Sequence, residues 1–130
     1  MTRRLLTIVF AAVTLAASAC GGSSSSSGAA TPAPSEAAKT ASFQESEFKI
    51  EPSTMTLKPG TYTISLQNTG SFPHDLHIAT SDGSEVAHSD RMAPKASTTF
   101  EATLQKGTYT IWCAVGNHRA QGMEGKITVQ

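Results

Sequence analysis

The sequence predicts an all-β chain folded as a Greek-key β-sandwich of seven to eight strands, and three observations carry that expectation. Short runs of alternating apolar and polar residues recur from about Phe43 onward, turn residues interrupt them every eight to twelve positions or so, and no long helical period appears. In the first run Phe48 and Ile50 alternate with Glu47, Lys49 and Glu51. Met55 and Leu57 then lead into a Lys58-Pro59-Gly60 turn, after which Tyr62, Ile64 and Leu66 alternate with Thr61, Thr63, Ser65 and Gln67. Ala93-Pro94-Lys95 makes another turn, followed by Phe100, Ala102 and Leu104 against Thr99, Glu101 and Thr103. Gln105-Lys106-Gly107 turns the chain into Thr108 to Cys113, and Glu124 to Val129 closes it. So many short strands in one domain's length suit a Greek-key sandwich.

The 130 residues amount to one domain, and part of that length is not fold. Met1-Thr2-Arg3-Arg4 is a short basic start, and Leu5 to about Ala17 is an apolar run of signal-peptide length, too short to span a bilayer. Residues 1–19 are therefore expected to be a signal peptide. The small residues Ala16-Ala17-Ser18-Ala19 before Cys20 resemble the lipobox of bacterial lipoproteins, with Ala17 standing where leucine is usual. That resemblance implies lipidation of Cys20 and an anchor on the extracytoplasmic face of the bacterial plasma membrane. A soluble secreted or periplasmic product that has lost Cys20 is the alternative. The Ser/Gly/Pro/Ala-rich stretch 20–42 has nothing to form a core and reads as a flexible linker. Residues 43–130 are the expected domain.

Charge excludes one class of partner. Ten basic residues balance ten acidic ones, and loss of Arg3 and Arg4 leaves the mature chain about two units acidic, with no stripe of Lys and Arg. Nucleic acid is not an expected ligand.

The two cysteines are Cys20 and Cys113. With Cys20 lipidated or removed, Cys113 is left without a disulfide partner in an oxidising compartment, where a thiol is a liability unless something holds it. Cys113, His118 and Met123 stand at equal spacing between two strand-like segments, and Asn68-Thr69-Gly70-Ser71-Phe72-Pro73-His74 supplies a second histidine upstream. A thiolate and two imidazoles with a weak axial thioether form the ligand set of blue-copper centres. Parity supports the choice: His74 shares a face with Leu76 and Ile78, Cys113 with Ile111 and Tyr109, and Met123 with Ile127 and Val129. His77 has the opposite parity and is expected to face solvent. His88, in a polar stretch, has no metal role on this reading, and Trp112, opposite in parity to Cys113, is expected to belong to a core layer or a covering patch rather than to relay electrons. Zinc shares Cys and His ligands but gains little from a thioether, so Met123 favours copper.

On these residues the chain, from about 43 to 130, resembles the cupredoxins, and its ligand spacing and Gly122-Met123-Glu124-Gly125-Lys126-Ile127 segment are most similar to the rusticyanin and auracyanin type. The resemblance implies one copper ion cycling between Cu(I) and Cu(II), held at one pole of the sandwich by His74, Cys113, His118 and Met123. It implies a non-enzymatic one-electron carrier, expected to be monomeric, working with redox protein partners such as a respiratory complex or a copper oxidase. Copper buffering or delivery is the alternative, and catalysis would need more histidines than His77 and His88. Two positions depart from relatives. Asp75 stands where Asn is common, so it either accepts from backbone amides and adds negative charge near copper or is placed differently. Gly116-Asn117 stands where many relatives read Pro-Gly, and Asn117 is expected to tolerate the left-handed conformation there. Ala114, Val115, Ala120 and Met92 are candidates for an apolar rim around His118.

Overall fold

The structure is a computed structural model and describes residues 39–130. The expected signal peptide, Cys20 and most of the expected linker lie outside the described residues. Nine strands are present among the described residues: β1 (Lys39–Ser46), β2 (Lys49–Glu51), β3 (Thr54–Leu57), β4 (Gly60–Asn68), β5 (His77–Thr80), β6 (Glu85–His88), β7 (Ser97–Leu104), β8 (Gly107–Trp112) and β9 (Glu124–Val129). One short 3₁₀ turn, Arg119–Gln121, interrupts the loop between β8 and β9. The strands form two sheets, ordered β2-β1-β4-β7 and β3-β9-β8-β5-β6. Most pairs are antiparallel, and β1–β4 and β3–β9 are parallel. No helix among the described residues is long and apolar enough to cross a membrane.

Alternation puts one face of each sheet into a shared core. Ile64 and Leu66 of β4, Ala102 and Leu104 of β7, Ile78 of β5, Tyr109 and Ile111 of β8 and Ile127 and Val129 of β9 are all buried there. The predicted turns fall where glycine permits positive φ, at Gly60 (φ 148°) and Gly107 (φ 156°). A tyrosine two residues after each glycine clamps the turn: the Tyr62 hydroxyl donates to Lys58 O at 2.8 Å, and the Tyr109 hydroxyl donates to Gln105 O at 2.9 Å. Each hydroxyl also accepts the amide N–H of the same residue. Both tyrosines thus combine core packing with a satisfied polar tip.

The N-terminal edge corrects the sequence reading twice. β1 begins at Lys39, so residues 39–42 belong to a strand and not to the linker. They pair in parallel with β4, where Ala41 opposite Ile64 and Phe43 opposite Leu66 add to the core. The run expected around Phe48 is also broken: the chain turns at Glu47-Phe48, with Phe48 at φ 57°, and Ile50 belongs to the short returning strand β2. Alternation alone did not distinguish a continuous strand from a tight hairpin of the same composition.

Candidate metal centre

Three segments converge at one pole of the sandwich. Cys113 directly follows β8 and keeps the inward parity of Tyr109 and Ile111; it is fully buried. Met123 directly precedes β9 and is likewise fully buried. Backbone bonds tie the loop between them: the Cys113 N–H donates to Met123 O at 3.1 Å, and the Met123 N–H donates to His118 O at 3.1 Å. Positive φ at Gly116 (52°) and Gly122 (103°) lets this loop turn back on itself. Asn117 does not take the left-handed conformation expected of it. Gly116 does, leaving Asn117 exposed with its Oδ1 accepting from Gln121 Nε2 at 2.8 Å.

His74 enters from the other side. It pairs with Met92 through an isolated antiparallel bridge, its N–H donating to Met92 O at 3.2 Å and its O accepting the Met92 N–H at 2.7 Å. Asn68 braces the preceding turn: its Nδ2 donates to Phe72 O and Ala93 O, and its Oδ1 accepts the Gly70 N–H. These bonds account for a buried amide and fix the turn that delivers His74, which is itself fully buried.

The convergence brings three predicted donors together. Cys113 Sγ lies 3.8 Å from His74 Nδ1 and 3.6 Å from His118 Nδ1, and the two rings stand 5.0 Å apart. A metal bonded to sulfur at about 2.3 Å and to nitrogen at about 2.0–2.1 Å, between donors roughly 110–120° apart, requires N···S separations of about 3.6–3.8 Å. The residues therefore fit a soft or borderline metal ion. Both imidazoles offer the same ring nitrogen, and His74 Nε2 is buried without a hydrogen-bond partner among the described residues. Met123 is placed at the same end by its bonds to Cys113 and His118.

Electrostatics prepares the donors unequally. Burial, and then the neighbouring His118, push the His74 pKa down, which favours the neutral imidazole a metal requires. Burial pushes the Cys113 thiol up to about 11, against the opposing effect of the Asp75 and Val115 amides, and the negative charges of Asp75 and Glu45 add to the rise. In the metal-free protein the sulfur is thus a thiol that an incoming cation must deprotonate. Asp75 is buried, and its Oδ1 accepts the Ala114 N–H at 2.6 Å. Of the two placements open from the sequence, the structure has the carboxylate accepting from backbone beside the thiol.

Several features escaped the sequence reading. Glu45 is fully buried, with neither carboxyl oxygen hydrogen-bonded among the described residues, and burial followed by the Asp75 charge raises its pKa to about 8. Its parity with Ala41 and Phe43 signals an inward side chain once residues 39–42 are read as strand. Phe48 packs edge-on against His118 at 5.4 Å. Among the expected rim residues, Ala114 and Ala120 are exposed and Val115 is half-buried, whereas Met92 is buried and lies beneath the surface. Phe72, 54% exposed, is an apolar surface residue not foreseen. Trp112 covers the outer face as expected, stacked between His77 and the Arg119 guanidinium.

Comparison with known proteins agrees with this geometry. A family model described as "Cupredoxin-like domain" matches residues 6–129. Plastocyanin from Solanum tuberosum is 33% identical over 85 residues, covering 55% of this chain and 84% of that protein. Chloroplastic plastocyanin from Solanum lycopersicum is 34% identical over 85 residues, and there the match spans only 49% of the relative's length. Among solved structures, reduced auracyanin from Roseiflexus castenholzii superposes with a TM-score of 0.65 at 22% identity, covering 72% of this chain and 98% of that one. Reduced rusticyanin gives a TM-score of 0.55 at 23% identity, covering 71% and 80%.

Proposed function

The chain belongs to the cupredoxin-like family, a family of copper proteins, and from that premise we propose that it is a single blue-copper electron carrier whose ligands are His74, Cys113, His118 and Met123. The observation that carries the reading is the pair of Sγ···Nδ1 separations, 3.8 and 3.6 Å, at a buried pole that holds Met123 through backbone bonds. Copper in such a set supplies one-electron cycling between Cu(I) and Cu(II). The protein's part is to hold the donors still. The Cys113–Met123 and Met123–His118 backbone bonds and the His74–Met92 bridge restrain all four of them, so little need move when an electron arrives or leaves. Asp75 holds the loop after Cys113 and adds negative charge, and the Asp75 and Val115 amides face the sulfur. Asn117 steadies the turn before His118 from outside the donor set.

His118 is half-buried while His74 and Cys113 are fully buried, so His118 is the edge nearest solvent and the route by which an electron enters or leaves. Exposed Ala114 and Ala120 share its loop, and exposed Phe72 precedes His74, offering small apolar contacts to a redox protein partner. Lipidation at Cys20 and a flexible tether would hold this domain at the extracytoplasmic face of the membrane, close to a respiratory complex or a copper oxidase. The test is an optical and electron-spin-resonance spectrum of the chain with one equivalent of Cu(II). An intense visible thiolate band with a small parallel hyperfine splitting, both lost in Cys113→Ser, is expected. Weak absorption with an ordinary splitting, or an undiminished band in Cys113→Ser, overturns the assignment.

A further inference from the structure

A second group of metal-ligating side chains lies on the outer face of the five-stranded sheet. His77 and His88 are directly opposite each other across β5 and β6, and their rings stack at 5.3 Å with planes 15° apart. Strict alternation would send Glu85, three residues before His88, to the other face. The register shifts between Ile78 and Ala79, so that Ala79 pairs with Glu85 and Val86 is skipped. Such a bulge re-aims a side chain, and here it returns Glu85 to the outer face. Glu85 Oε2 lies 2.6 Å from His77 Nδ1, and Oε1 lies 2.9 Å from His88 Nδ1. One donor atom from each of the three residues falls within 4.8 Å of the others.

We propose that His77, Glu85 and His88 form a second, solvent-facing site for a divalent transition-metal ion of the Zn²⁺ or Cu²⁺ kind. Two imidazoles and one carboxylate are a borderline donor set that suits these ions, whereas Ca²⁺ and Mg²⁺ seek oxygen. Donors around an ion at about 2.0–2.1 Å sit roughly 3.3 Å apart in a tetrahedron, so Glu85 has to withdraw by about half an ångström. Its side chain is 43% exposed and free to do so. The hydrogen bond from His77, ahead of the attraction of both imidazoles, holds the Glu85 carboxyl below the usual range and keeps it anionic. His77 is flanked on its other side by Trp112, on which its ring stacks at 5.4 Å, and its Nε2 lies 3.9 Å from the Asp75 carboxylate. His88, 56% exposed, leaves the remaining coordination positions open to water. This site shares no donor with His74, Cys113 and His118, so it stands or falls independently of the blue-copper reading.

Zn²⁺ alone, titrated at neutral pH into the copper-free full chain while the ring nitrogens of the four histidines are followed by ¹⁵N magnetic resonance, tests the proposal residue by residue. His77 and His88 are expected to respond together and saturate, whatever His74 and His118 do. His88→Ala and Glu85→Gln are each expected to weaken the His77 response about tenfold or more, with the His74 and His118 responses and the melting temperature unchanged. Silence of His77 and His88 throughout the titration overturns the site. So does a His77 response of equal affinity in both variants.

Discussion

Glu45→Gln tests whether a carboxyl group is held neutral beside the metal centre. The wild-type carboxyl is fully buried without a hydrogen-bond partner among the described residues, and its pKa is raised from 4.5 to about 8. Below pH 4.5 the folded and unfolded states both carry the proton, and this contribution to stability is complete. Between 4.5 and about 8 the folded state keeps a proton that the unfolded state releases, so stability falls as pH rises. The slope approaches about 1.4 kcal/mol per pH unit, about 3 kcal/mol by pH 7 and roughly 5 kcal/mol across the whole interval. That is a large share of the 5–15 kcal/mol typical of a domain. Glutamine keeps the shape and removes the titration; its second donor hydrogen adds a pH-independent offset that leaves the slope alone. Denaturant unfolding of the copper-free chain at half-unit steps from pH 5 to 8.5 measures both proteins. The difference between their curves is expected to widen steadily toward high pH in favour of Glu45→Gln. Parallel curves would refute the reasoning, since every other titrating group is common to both proteins.

Three further predictions rest on separate features. Because the Cys113 thiol is pushed up to about 11, copper uptake near neutrality is expected to release one thiol proton per ion, and affinity to rise about tenfold per pH unit from this group alone; metal competition at pH 6, 7 and 8 checks it, and a flat profile removes Cys113 from the ligand set. Asp75→Asn keeps an oxygen for the Ala114 N–H and loses the charge, so voltammetry should show a higher copper potential, and the pH dependence from Glu45 should shrink without vanishing because burial is its larger cause. Gly125→Ala drives a Cβ into Ser53 O and to 3.1 Å from Ile111 Cγ1, disturbing the acceptor of the Lys126 N–H; a loss of about 1–3 kcal/mol is expected, or roughly 4–8 °C of melting temperature per kcal/mol, and an unchanged melt would count against the close packing of β3 on β9.

What the sequence made legible was periodic or chemically specific. The alternation around Tyr62, Ile64 and Leu66 and around Tyr109 and Ile111 defined strands and faces, and the same parity set His74 apart from His77 before any distance was known. Cys113, His118 and Met123 were visible because one loop carries all three. What stayed hidden depends on pairing between distant segments. Lys39–Ser42 is too polar and too close to a Ser/Gly/Pro/Ala stretch to read as strand, and it becomes one by pairing with β4, seven positions deep along β1. Glu45 could not be seen as buried until that register was fixed. Phe48 counted as the start of an alternation, though its positive φ reverses the chain and leaves it against His118. The His77, Glu85 and His88 cluster needs a bulge, which local alternation does not encode.

The two buried carboxylates make the centre's charge balance uneven. Asp75 reaches a backbone donor at Ala114, whereas Glu45 reaches none among the described residues, so burial acts on Glu45 with little to oppose it. The same dry pole drives the Cys113 thiol upward and the His74 imidazole downward, in each case toward the neutral form. A pocket that refuses charge on all three groups is held in check until a cation arrives. A cation held by the sulfur and the two Nδ1 atoms would favour the thiolate, and whatever positive charge the thiolate leaves uncompensated would act on Glu45 in the direction opposite to Asp75. The steep pH dependence is therefore that of the copper-free state; Cu(II), with its surplus positive charge, would lower the Glu45 pKa from about 8 and reduce the penalty. The acid that destabilises the empty protein at neutral pH would thereby favour the Cu(II)-loaded one.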